Sequence, residues 1–166
     1  MGLIGFNYSI PWSKFRKVKT RPPGKIGDAE TVSVYNSRNI RLARKGNGVV
    51  VVSADVIISI NAHKSWVVTR QMNNYLLNHE QGHYDITALA AGEFYREILK
   101  LIATDPKRLN DGMKKLNAAL QQKIDSTNLR YDAQTNHSRN TQLQQTWDQR
   151  IAAEKQKPGG SIVNLP

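Results

Sequence analysis

Residues 72–86, MNNYLLNHEQGHYDI, open a helical rhythm that runs on to about Ala103. Met72, Tyr75/Leu76, His79, His83, Ile86, Ala90, Phe94, Ile98 and Leu101 recur at spacings of three and four, which predicts one long helix over 69–103 with a single inward stripe. Inside that stripe stands His79-Glu80-Gln81-Gly82-His83, an H-E-x-x-H pattern. Helical residues four apart sit one turn above each other on the same face, so two imidazoles there can share one metal ion. Glu80, next to the first histidine, is placed to take a proton from a water beside that metal. The plainer alternative is a pair of core histidines bonded within the protein, with Glu80 exposed. Two polar rings at adjacent turns of an apolar stripe are an awkward choice for packing alone.

Outward from the helix, the chain changes character in both directions. Upstream, residues 6–12 (FNYSIPW) alternate weakly and read as a first strand; Glu30–Tyr35 and Ile40–Ala43 read as further short strands. Gly46-Asn47-Gly48 is a turn signal, and Val49–Asn61 (VVVVSADVIISIN) is the most strand-like stretch. Its four consecutive valines predict burial on both faces, with a bend near Ser53–Asp55. Part of it can offer an edge to an extended peptide. Downstream, Asp105-Pro106 caps a second helix from Lys107 to about Leu129, with Leu109, Met113, Leu116, Leu120 and Ile124 apolar. Residues 130–138 (RYDAQTNHS) read as a loop, and a third helix spans about 140–155 with Leu143, Trp147 and Ile151 at successive turns. The expected fold is α+β: a small N-terminal sheet, then three helices, with the H-E-x-x-H on the first. Residues 1–156 form one domain in this reading, and 157–166 (KPGGSIVNLP) a mobile tail.

Composition narrows the chemistry. The 166 residues include no cysteine, so a metal must rely on histidine and carboxylate ligands. Mean hydropathy is −0.54 and no apolar run approaches membrane-spanning length. The first residues lack a basic stretch followed by an apolar one, so they do not read as a signal peptide, and localisation stays open. The formal charge is +11, with Lys14, Arg16, Lys17, Lys19, Arg21 and Lys25 concentrated in 14–25. That segment is read as a solvated basic loop, with contact to an anionic surface as the alternative.

A zinc site needs a third protein ligand. Glu93 and Glu97 lie roughly 15 and 21 Å beyond His83 along a straight helix, too far to reach. Asp85 projects from another face. A ligand returning from later in the chain is required, and the segment 130–138 offers His137 and, as an alternative, Asp132. His63, ahead of the helix, reads as structural or exposed.

These residues also resemble a known family. Trp12-Ser13-Lys14-Phe15, Ser65-Trp66-Val67, the stretch Leu76–Ile86, and Tyr131-Asp132-Ala133-Gln134-Thr135-Asn136-His137 follow one another in the order seen in bacterial proteins described as predicted secreted Zn-dependent proteases, a domain of unknown function. A helix with Gln145 and Trp147 is similar to that family's closing segment, and Ser138 stands where the family usually has glycine. The resemblance spans about residues 10–151. It implies a zincin-like metallopeptidase with His79, His83 and His137 holding Zn2+ and Glu80 as general base. For the developing oxyanion, proximity to His137 points to Tyr131 as donor, while Asp132 orients a ligand as a hydrogen-bond acceptor. Peptide or protein would be the substrate. Two other functions fit the same residues: a zinc amidase or cell-wall hydrolase, and a metal-binding interaction module without turnover whose basic N-terminal surface does the work.

Overall fold

A computed structural model describes residues 2–166. Ten elements follow one another: β1 (Leu3–Ile4), β2 (Arg16–Val18), β3 (Ala29–Glu30), β4 (Ser33–Lys45), β5 (Gly48–Ile60), β6 (Trp66–Val68), α1 (Asn74–Ile98), β7 (Ile102–Ala103), α2 (Pro106–Thr135) and α3 (Thr141–Gln156). The architecture is α+β, with mixed sheets first and three helices after them. Among the described residues no helix is long and apolar enough to cross a membrane.

β4 and β5 form a long antiparallel hairpin through the Gly46-Asn47 turn, where Gly46 takes a positive φ of 59°. The two strands expected as Glu30–Tyr35 and Ile40–Ala43 merge into one, β4, because a bulge lets the ladder continue: its register shifts between Arg38 and Leu42. Opposite that bulge, Val51 and Ala54 are both buried while Val52 is 54% exposed. β5 therefore buries one face, and the valine run is not enclosed on both. It has β4 along one side, while on the other β7 pairs Val49–Val50 and β1 pairs Val56–Ile57. Residues 6–12, expected as a strand, are turn and coil held by side chains of α1; the first strand is β1. A second sheet, ordered β2-β6-β3, feeds directly into α1.

The first helix starts where Asn73 accepts a hydrogen bond from Leu76 N (2.8 Å), after a 3-10 turn at Thr69–Gln71. It ends at Ile98, short of the expected Ala103, because Ile102 and Ala103 leave to pair with β5. A single inward stripe underestimates its burial. Tyr84, Ala88, Ala91 and Phe94 pack towards the sheet, whereas Ile86, Leu89 and Ala90 pack towards Ile124, Tyr131, Trp147 and Ile151 of α2 and α3. Small residues in Ala88–Gly92 let both layers approach.

The second helix runs six residues beyond the expected Leu129. The stripe continues through Thr127, Tyr131 and Thr135, all buried, and ends at Asn136 in the left-handed region (φ 48°). Asn128, Tyr131 and Asp132 thus sit on a rigid helix and not in a loop.

The C-terminal segment also differs from expectation. Ile162 and Leu165 are buried in the α1–α2–α3 cluster, Arg96 Nη2 donates to Gly160 O (2.7 Å) and Ser161 Oγ donates to Glu93 Oε2 (2.6 Å). Residues 157–166 are tied down by these bonds. Replacing Ile162 by Ala is expected to lower unfolding stability by about 3 kcal/mol in a denaturant titration. A mobile tail would leave the midpoint unchanged.

Candidate metal centre

His79 and His83 project from adjacent turns of α1 towards Asn128 and Asp132, themselves one turn apart on α2. Each imidazole is held at one nitrogen by an amide. His79 Nδ1 lies 2.9 Å from Gln144 Oε1, and His83 Nδ1 lies 2.9 Å from Asn128 Oδ1. The Gln144 amide is oriented by its other end, since Nε2 donates to Asp148 Oδ1 (2.8 Å) and to the Tyr131 hydroxyl. An amide oxygen only accepts, so both Nδ1 atoms carry the proton and both Nε2 atoms face inward. There they meet Asp132 Oδ1, each at 3.1 Å.

Two imidazole nitrogens and one carboxylate oxygen therefore converge within 4.8 Å of one another. With neutral rings, this arrangement sets three lone pairs face to face, an unfavourable cluster unless a cation or extra protons lie between them. The donor set, two nitrogens and one oxygen without sulfur, suits a divalent metal bound by histidine and carboxylate. His79, His83 and Asp132 could thus hold a metal ion.

Of the residues read from sequence, the structure brings together His79, Glu80, His83 and Asp132. His137 stands outside that group, on the Asn136–Ser138 turn, where all three residues have positive φ. Its Nδ1 is 3.4 Å from Asp132 Oδ1, the oxygen that His79 and His83 also face, and it lines the same cavity. Ser138, at φ 74°, occupies a conformation that glycine adopts without strain, which gives a physical reason for glycine at this place. His63 is exposed and away from the site.

The Tyr131 expectation needs correction. This ring stacks on His79 at 4.7 Å between centroids and is fully buried, with its hydroxyl donating to His79 O (3.2 Å). It forms the wall behind the histidines, with its hydroxyl committed to the α1 backbone and to Gln144. Gly82 makes this packing possible, since a Cβ at that position would collide with the tyrosine hydroxyl.

Glu80 is buried on the cavity side of α1, and Thr31 Oγ1 donates to its Oε2 (2.7 Å). Burial raises its pKa above the usual carboxylate range, against the opposing pull of His83, His79 and the Thr31 bond. For Asp132, burial is outweighed by hydrogen bonds from His79 and His83 and by their charges, so its carboxyl stays well below the ordinary value. Burial also works against the charge on His83, yet the bond and charge of Asp132, helped by Glu80, raise its pKa from 6.5 to about 9.

These groups line a cavity of about 270 Å³ roofed by residues 25–31, with Trp66 and Leu76 as its apolar wall. Part of the basic segment belongs to this roof. Lys25 pairs with Glu30 (2.7 Å) and Arg21 with Asp28 (2.7 Å), while Arg16, Lys17 and Lys19 remain exposed. Sequence reasoning missed Thr31, Asn128 and Gln144. Asn128 had a signal in its i, i+4 spacing from Asp132, whereas Gln144 had been passed over for Gln145, which is exposed.

Residues 41–138 match the model of a family described as "Bacterial protein of unknown function (DUF922)", and as this span is more than half of the chain, the chain belongs to that family. The matched span contains His79, Glu80, His83, Asn128, Asp132 and His137 but not Thr31 or Gln144. No curated protein and no solved structure matches the chain significantly.

A metal ion needs the Nε2 lone pair that a proton occupies when His83 is charged. With the His83 pKa raised to about 9, a metal ion taken up here at pH 7 is expected to displace that proton, and affinity is expected to rise with pH up to about 9. Calorimetry in buffers of different ionisation enthalpy is expected to show release of about one proton or more per metal ion. Uptake independent of buffer would contradict the arrangement.

Proposed function

We propose that this member of the family is a zinc-dependent hydrolase, acting as a metallopeptidase on peptide or protein substrates. One observation carries the reading: His79 Nε2, His83 Nε2 and Asp132 Oδ1 converge on the wall of a cavity that also holds the buried Glu80 carboxylate. We assign zinc to these three side chains. His137 lies beside the same Asp132 oxygen, a place outside the ligand group that differs from the ligand position the family resemblance implied. Zinc bound there supplies a Lewis acid that polarises a carbonyl and lowers the pKa of water.

The chain's own residues then account for the proton path. Glu80, raised in pKa by burial and aimed by Thr31, accepts a proton from a water as that water attacks the carbonyl carbon. The same carboxyl then delivers the proton to the departing amine. Its raised pKa favours both halves of this exchange near neutral pH. Gln144 and Asn128 keep the two imidazoles in one tautomer and one orientation throughout. With Tyr131 committed behind His79, the cavity-lining Asn128 and His137 are the candidate donors to the developing oxyanion.

Glu80→Gln separates catalysis from metal binding, because it keeps the shape and removes only the base. Turnover of a denatured protein substrate is expected to fall by about 10²- to 10⁴-fold, while zinc stoichiometry stays that of the wild type. Unchanged turnover in this variant would overturn the assignment. Hydrolysis of a non-peptide amide, with peptides untouched, would move the substrate class and leave the chemistry.

A further inference from the structure

The sheet that supports α1 has a second face. Side chains of residues paired across a ladder point the same way, so the register Val34↔Ser59, Asn36↔Ile57 and Ile4↔Ile57 collects Val34, Ile57 and Ile4 on the face away from α1. Beyond the bulge, Ala43↔Val50 and Val50↔Ile102 place Val50, Ile102 and Val52 on that same face. It stays open to solvent: Ile4 is 50% exposed, Val52 54% and Ile102 63%. An aliphatic strip of this length on an uncovered face has no role in the metal centre or the core.

Its charge is one-sided. Arg38, Arg41 and Lys45 lie on this face, and Arg108 borders Ile102. β4 holds no acidic residue. Asp55, the face's acidic residue, accepts hydrogen bonds from Asn39 and from Gly2 N, and Asp105 caps α2 beside Arg108. Cations on an edge strand guard against sheet extension, but that leaves the exposed aliphatics unexplained. A second copy docked here would set arginines against arginines in a chain of formal charge +11.

We propose that this outer sheet face docks on an anionic phospholipid bilayer. The headgroup plane neutralises Arg38, Arg41 and Lys45, and the strip of Ile4, Val52 and Ile102 enters the interfacial layer. The docking leaves the metal cavity free, since the cavity lies on the α2 side of α1 beneath residues 25–31.

Cosedimentation with phosphatidylcholine vesicles, with and without phosphatidylglycerol, tests this. The full chain is expected to bind only the vesicles containing phosphatidylglycerol, and less as salt rises. Val52→Ser with Ile102→Ser, and separately Arg41→Ser with Lys45→Ser, are each expected to weaken binding about tenfold or more. Zinc uptake should be unchanged in both pairs, showing that the fold survives. Three results would overturn the proposal. One is absence of binding to the anionic vesicles. The second is binding that survives both pairs but is lost in Lys17→Ser with Lys19→Ser, which would move the contact to the basic N-terminal segment. The third is a lipid-free dimer that Val52→Ser with Ile102→Ser dissociates, which would give the face to a second copy.

Discussion

Polar side chains buried in the middle of a central helix must have every hydrogen-bonding atom answered, and this requirement shapes most of the protein. A buried donor or acceptor without a partner costs about 1–3 kcal/mol, and more if charged. α1 carries His79, Glu80 and His83 where the core is densest. Their partners come from three separate parts of the chain: Thr31 after β3, Asn128 and Asp132 on α2, and Gln144 on α3. The partners answer both Nδ1 atoms and Glu80 Oε2, and they leave the two inward Nε2 atoms facing one oxygen of Asp132. Those three atoms are what the surrounding bonds leave directed at one point.

The five residues of HEQGH divide the work of assembling that point. His79 and His83 aim at it, and Glu80 stands beside it. Gln81 faces the other way and fixes the N-terminal segment, accepting from Ile10 N (2.8 Å) and donating to Tyr8 O (3.1 Å). Gly82 has no side chain so that Tyr131 can lie against the helix backbone, stacked on one histidine and edge-on to the other. The tyrosine sets the separation of α1 from α2, and with it the reach of Asp132 to both rings. Just beyond the motif, Tyr84 donates to Gly5 O (2.8 Å) and Asp85 accepts from Lys155 (2.6 Å), binding the helix to the first strand and to α3.

Much of this was legible in the sequence where periodicity or spacing carried it. The 3.6-residue rhythm located α1 and α3, the Gly-Asn-Gly turn located the hairpin, and H-E-x-x-H located the histidines and Glu80. The misreadings share a physical origin. Residues 130–135 looked like a loop because the stripe of α2 continues there on Thr127, Tyr131 and Thr135, whose hydroxyls mask a buried face. The tail looked mobile because its glycines and prolines hide two buried aliphatics, Ile162 and Leu165. Tyr131 was given a chemical role from nearness to His137, but a helical residue's direction is set by its turn, and this turn faces the core. Which carboxylate or ring meets the histidines depends on how α1 and α2 are placed against each other, and no local pattern encodes that.

Whether His79, His83 and Asp132 bind one metal ion can be read directly, in crystals grown with zinc, from anomalous scattering at the zinc edge. A single strong peak is expected about 2.0–2.3 Å from His79 Nε2, His83 Nε2 and an oxygen of Asp132, with His137 outside coordination distance. A peak coordinated by His137 in place of Asp132, or no peak between the two histidines, would contradict it.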